Sequence, residues 1–141
     1  CDFVVAAESS RFCAAQIRVG ASPDGGMFWS VPRRMGKAAA KRMLLTGDEL
    51  DQHTALASGL ADYPAPDGGA LEAAQKLARK LAFGPPLAQT TVKQFFAQDI
   101  AGMDSVLDWE RDTAVDNFLT QDFAEGASAF LEKRRPAFKG A

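Results

Sequence analysis

The sequence predicts an α/β protein that is mostly helical, and three observations carry that reading. The chain opens on a short apolar run rich in β-formers, residues 3–6. A Gly-rich loop follows at 20–26. From Lys37 onward apolar residues recur at three- and four-residue spacing, the period of helices with one buried face.

Residues 3–6 (FVVA) read as a buried strand, and Arg11, Phe12 and Cys13 suit a second, shorter one. Residues 14–19 fit a single helical turn. Arg33 and Arg34 form a basic turn leading into a helix, and their plain reading is a solvated helix start. Residues 37–45 are rich in Ala and Leu, good helix formers, and stop at Thr46 and Gly47. Asp51 stands as N-cap of a helix through Ser58, with Gly59 as its left-handed C-terminal residue. Residues 60–63 are extended, ended by a turn cluster at 64–69. Leu71, Ala74, Leu77, Ala78 and Leu81 mark the next helix, which ends at Gly84, Pro85 and Pro86. Val92, Phe95, Phe96 and Ile100 mark another, broken near Gly102. Val106, Leu107, Val115, Phe118 and Leu119 mark a third. Asp122 and Glu125 stand three apart in capping-box fashion ahead of a last helix ending near Pro136. An edge of sheet followed by about six helices is not self-contained, so further strands are expected upstream of Cys1 in a longer protein.

At 141 residues the chain has the length of one domain. A net charge of -2 argues against a broad nucleic-acid surface. The basic residues nevertheless cluster at 33–34, 37–42 and 133–135, which suits small anion sites. No apolar run reaches the ~18 residues of a membrane span, so no membrane partner is expected. Cys1 and Cys13 have neither metal spacing nor a disulfide framework. No metal is expected, and a reduced cytoplasmic setting is the default.

Few residues combine reactive chemistry with an informative context. Asp24, in Pro23–Asp24–Gly25–Gly26, is a carboxylate at a tight turn, and Asp-Gly-Gly is equally a good turn in its own right. Gly25 and Gly26 suit left-handed backbone and close approach. His53 has no evident partner and reads as a surface histidine. Cys13 reads as a small buried hydrophobe. Trp29, Trp109, Phe95 and Phe96 read as core or subunit interface. Phe130 and Lys133 stand three apart on the last helix, hence on one face.

Cys1–Asp2 before an apolar strand, AxExxRF, GxxPDGG, VPRRMGKAAAKRMLLTGDELDQHTALASGLAD and FLEKRRPAFKG occur in this order over nearly the whole chain. Together they resemble the C-terminal half of the crotonase (enoyl-CoA hydratase/isomerase) superfamily. The PDGG turn is most similar to the isomerases of phenylacetyl-CoA breakdown. The resemblance implies a spiral of β-β-α units with a C-terminal helical trimerisation region, the N-terminal part lying outside this chain. Residues 1–63 would be the end of the crotonase core with its active-site turn, and 64–141 a helical trimerisation and CoA-covering region. It further implies acyl-CoA substrates, no cofactor beyond the coenzyme A of the thioester, and a homotrimer or hexamer. The enolate-like intermediate would be held by two backbone N–H groups that precede the CD pair.

In hydratase members of this family a glutamate follows the RF strand, and Gln16 occupies that position. A glutamine amide does not exchange a proton near neutral pH, so Gln16 is expected to contact substrate or water. An aspartate at the place of Asp24 serves as acid/base or nucleophile in several members, including a dehalogenase. Dehalogenase-like members carry a tryptophan near the position of Gln16, which this chain lacks. By resemblance Asp24 is the proton shuttle, Pro23, Gly25 and Gly26 form the active-site turn, and Phe130 and Lys133 reach a neighbouring subunit's CoA. The expected function is an acyl-CoA isomerase. An enoyl-CoA hydratase using an upstream glutamate, a non-catalytic CoA-binding or assembly homologue, and a separate trimerisation half are the alternatives.

Overall fold

A computed structural model of the chain describes residues 1–98 and 100–141, which divide into two compact units, Cys1–Leu77 and Ala78–Ala141. The first unit carries the four strands found among the described residues. β1 (Val5–Ala7) pairs in parallel with β4 (Tyr63–Ala65), Val5 opposite Tyr63. β2 (Arg11–Phe12) pairs antiparallel with β3 (Leu50–Asp51), Phe12 opposite Leu50. The first strand therefore finds a partner inside the chain. That partner runs into the stretch read as a turn cluster, because Pro64 sits in a strand that among the described residues pairs with β1 alone. Gln52 fastens the pair, its Nε2 donating to the carbonyls of Ala6 at 2.8 Å and Ala65 at 3.0 Å.

Between the strands lie a 3₁₀ turn (Ala15–Val19) and helices α1 (Met27–Met35), α2 (Lys37–Thr46) and α3 (Gln52–Ser58). The helix α1 departs from the expected loop and basic turn. Pro32 and the flanking glycines hide it in the sequence, yet Pro32 removes one donor and the nine-residue helix forms around it. Arg33 and Arg34 thus end a helix rather than start one. Arg33 stacks over the Trp29 ring at 4.3 Å. Arg34 donates to the Leu60 carbonyl at 3.1 Å and pairs with Asp62. The Asp62 carboxylate also accepts from the Val4 amide at 2.6 Å, so α1 is tied to the strand edge.

The expected punctuation of α2 and α3 holds. Gly47 and Gly59 close them in left-handed conformation, and Asp51 caps α3 by accepting from the Thr54 amide at 2.8 Å. That bond holds the Asp51 carboxyl below its usual range. At Gly59 a Cβ would lie 2.8 Å from the Arg34 carbonyl oxygen, so the crossing of α1 and α3 admits no side chain there. The core is built mainly from small residues: Ala14, Val31, Ala40, Met43 and Leu44 in one cluster, and Ala6, Ala55 and Ala61 in another. Phe12 and Leu60 pack against both.

Helix α4 (Ala70–Ala82) follows, then α5 (Pro86–Ala97), α6 (Met103–Phe118) and α7 (Gln121–Leu131). Pro86 opens α5 at a position where its missing N–H has no intrahelical role. Phe95 packs against Trp109 with ring centroids 5.1 Å apart. The N-cap of α7 is Thr120, which accepts from the Phe123 amide, so Asp122 and Glu125 do not form a capping box. Both instead hold the C-terminal segment. Buried Asp122 accepts from the amides of Lys139 at 2.7 Å and Gly140 at 2.9 Å. Glu125 takes a two-pronged Arg134 guanidinium at 2.6 and 2.8 Å, and also the Ala137 amide. The helix ends at Leu131, well short of Pro136.

The Arg134 hydrogen bonds, with the Ala137 amide, lower the Glu125 carboxyl to about 2. Its folded pKa lies below the unfolded one, so its contribution is complete above the ordinary Glu range and is lost as pH falls through about 2. In an acid titration followed by amide exchange, protection at Ala137 should fade between those limits in the native chain. In Glu125→Gln that acid-dependent step should vanish; if it persists unchanged, Glu125 is not what fastens this stretch.

Candidate active site

The turn singled out by sequence begins where the 3₁₀ turn Ala15–Val19 closes. The Ala21 amide donates to the Gln16 carbonyl at 3.0 Å, and Gly20 is left-handed. The chain then passes buried Pro23 and exposed Asp24 into Gly25 and Gly26, with φ of 60° and 80°. Two successive positive φ values explain the Gly-Gly pair. Among the described residues a Cβ at either glycine would meet nothing within 4 Å, so inside this chain the pair serves backbone conformation. The turn is closed by the Met27 amide on the Asp24 carbonyl at 3.1 Å, and Gly26 caps α1.

The fold brings the two candidate reactive positions together. Gln16 Nε2 donates to Asp24 Oδ1 at 3.0 Å. The orientation follows from charge, because an ionised carboxylate only accepts. Gln16 Oε1 is buried and has no hydrogen-bond partner among the described residues.

Beside this pair lies an apolar groove of about 630 Å³, lined by Ile17, Ala21, Pro23, Phe28, Pro32, Leu44 and Leu45 among others, together with Lys37 and Lys41. Gln16 and Asp24 do not themselves line it; their chain neighbours Ile17 and Pro23 do. Sequence reasoning did not foresee this groove, because its Phe28 and Pro32 belong to the helix it missed. Trp29, expected in a core or interface, is 62% exposed.

Phe130 and Lys133 lie in the other unit. Phe130 is 83% exposed in the last turn of α7. Lys133 stands beyond the helix with φ of 54°, so the shared helical face expected for the two does not exist. His53 is exposed in the first turn of α3, as read. Cys13 is half-buried rather than buried, and its thiol donates to the Gly47 carbonyl at 3.0 Å.

Comparison with known proteins agrees with this architecture. The family model described as Enoyl-CoA hydratase/isomerase matches residues 1–141. The 2,3-dehydroadipyl-CoA hydratase of Escherichia coli (strain K12) is 38% identical, the match covering 99% of this chain and 55% of the relative. The 1,2-epoxyphenylacetyl-CoA isomerase of the same organism is 36% identical over 99% of this chain and 53% of its own. The crystal structure of enoyl-CoA hydratase from Mycobacterium tuberculosis H37Rv superposes with a TM-score of 0.91 at 34% identity, covering 100% of this chain and 56% of that one. The chain thus spans about half the length of the relatives it matches and carries that part of the crotonase fold. A family match along every residue, with a hydratase and an isomerase at similar identity, establishes that the chain belongs to the enoyl-CoA hydratase/isomerase family of the crotonase superfamily.

Proposed function

We propose that this chain supplies the proton-transfer group of an acyl-CoA isomerase, and that the group is Asp24. The observation that carries this reading is the 3.0 Å hydrogen bond from Gln16 to Asp24. At the position of the hydratase glutamate stands a group that exchanges no proton, and it is bonded to the one carboxylate of the turn. One carboxylate suffices for a double-bond shift. It takes a proton from a carbon conjugated with the thioester, the C–H electron pair passing into an enolate, and returns the proton to a second carbon. No atom is gained or lost, and the carboxylate ends as it began. The acyl part of the thioester lies in the apolar groove beside Pro23, which suits an uncharged chain or ring.

Phe130 and Lys133 receive the adenosine and phosphate end of coenzyme A from a neighbouring subunit. The exposed aromatic ring and a cation beside other basic residues fit that role. Self-association as a trimer or hexamer would cover exposed apolar side chains such as Phe96, Leu119 and Leu131, which are 79–81% accessible. No cofactor is invoked beyond the substrate's own coenzyme A. Two free cysteines suit a reducing cytoplasm.

Hydration is the second reading, favoured by the name of the 38% identical relative. It needs a second carboxylate to activate water, and Gln16 does not provide one. Incubating the intact protein with 2-enoyl- and 3-enoyl-CoA thioesters separates the two. A moved double bond at unchanged mass supports isomerisation, whereas a product heavier by one water supports hydration and overturns it. Coenzyme A binding with neither product would leave a non-catalytic binding protein.

A further inference from the structure

Resting on the assignment of Asp24 as the proton carrier, we infer that Gln16 is a positioning residue that reserves one named oxygen of Asp24, Oδ2, for the reacting proton. A carboxylate free to rotate presents either oxygen to a substrate and, as an acid, carries its proton on either one. Here the Gln16 amide occupies Oδ1 at 3.0 Å, an ordinary length for N–H···O. Among the described residues no hydrogen bond reaches Oδ2. Oδ2 therefore takes the proton from the first substrate carbon. In the acid that results, Oδ1 is the carbonyl oxygen and still accepts from Nε2, so the amide stays in place while Oδ2–H passes the same proton to the second carbon. The hydrogen bond serves both protonation states without moving.

The residue type follows from that requirement. A glutamate here would set a second carboxylate about 3 Å from the first, and two such groups resist ionising together. A methionine has no donor. The buried Oε1 points to the same conclusion. A buried acceptor without a partner is unfavourable, and an apolar side chain of the same length would avoid it. Among the described residues the side-chain hydrogen bond of Gln16 goes to Asp24. Holding Asp24 is thus what the amide contributes. The backbone supports the same alignment, since the Gln16 carbonyl accepts from Ala21, three residues before Asp24.

The test compares Gln16→Met and Asp24→Asn in the intact protein. In Gln16→Met, kcat for the double-bond shift should fall about 10- to 100-fold, the scale of a misaligned reacting group. KM should stay within about twofold, since ground-state binding is untouched. In heavy water the product should also carry more solvent deuterium, because the proton is no longer kept on one oxygen. Wild-type kcat and deuterium content in Gln16→Met, with Asp24→Asn inactive, would overturn the positioning role alone. Turnover retained in Asp24→Asn would overturn both assignments. A substrate-free check uses the ¹⁵N side-chain amide signal of Gln16, identified by its loss in Gln16→Met. The signal should move clearly in Asp24→Asn, where the charged acceptor is gone, and an unmoved signal overturns the contact.

Discussion

Asp24→Asn should lower kcat for double-bond isomerisation of enoyl-CoA thioesters by about 10²- to 10⁴-fold, the range for losing a positioned general acid–base group. Coenzyme A affinity should remain within about twofold. The substitution isolates the chemistry because so little else depends on the carboxylate. The hydrogen bond that closes the turn uses the Asp24 main-chain carbonyl, and the helix behind it is capped by Gly26. Asparagine has the same shape and keeps an oxygen that can accept from Gln16, so the loop should fold unchanged. What it lacks is a site that takes up a proton near neutral pH. Steady-state kinetics alongside a thermal melt decide the matter. A normal melt with normal turnover would remove Asp24 from the reaction.

Asp122→Ala should destabilise the C-terminal unit by about 2–4 kcal/mol, on the scale of two hydrogen bonds to a charged acceptor with some recovery by water. Asp122 is 4% exposed and accepts from two consecutive backbone amides, Lys139 and Gly140, while its own amide donates to the Ala141 carbonyl. This fixes the segment that lays the Phe138 ring against Gly126, where a Cβ would come within 3.3 Å. Asp122→Asn, which keeps an oxygen acceptor, should fall between the native chain and Asp122→Ala. Urea unfolding and limited proteolysis after Lys139 report on the same event, and an unchanged midpoint with a protected tail would show the fastening lies elsewhere.

Helix punctuation was legible because it is local: Asp51, Gly47 and Gly59 act through their own backbone, and each closes the element its neighbours predict. Helix α1 was not legible, because a proline in its sixth position and glycines on both flanks are the usual marks of a loop. The spacing of Asp122 and Glu125 was legible but misleading. Three residues apart fits a capping box, yet both carboxylates reach 9 to 18 residues along the chain to partners that no periodicity announces. Arg34 failed for the same reason, its partners Leu60 and Asp62 lying 26 and 28 residues away. At the candidate site the resemblance located Asp24 and Gln16 separately. Their contact across eight residues emerges only when the 3₁₀ turn and the Gly-Gly turn fold against each other.

The end of α2 has a consequence for how the site moves. A Cβ on Gly47 would come 2.7 Å from Ile17 Cγ2 and 3.3 Å from the Ala14 carbonyl, and the Gly47 carbonyl holds the Cys13 thiol. The turn that bears Gln16 is therefore seated directly on the last residues of that helix. Fraying there would unseat the amide as well, so the two segments should open as one cooperative unit, exchanging their backbone protons at a common rate. Readiness for the proton transfer proposed for Asp24 would then be set by an opening equilibrium at a helix terminus more than 20 residues downstream of it.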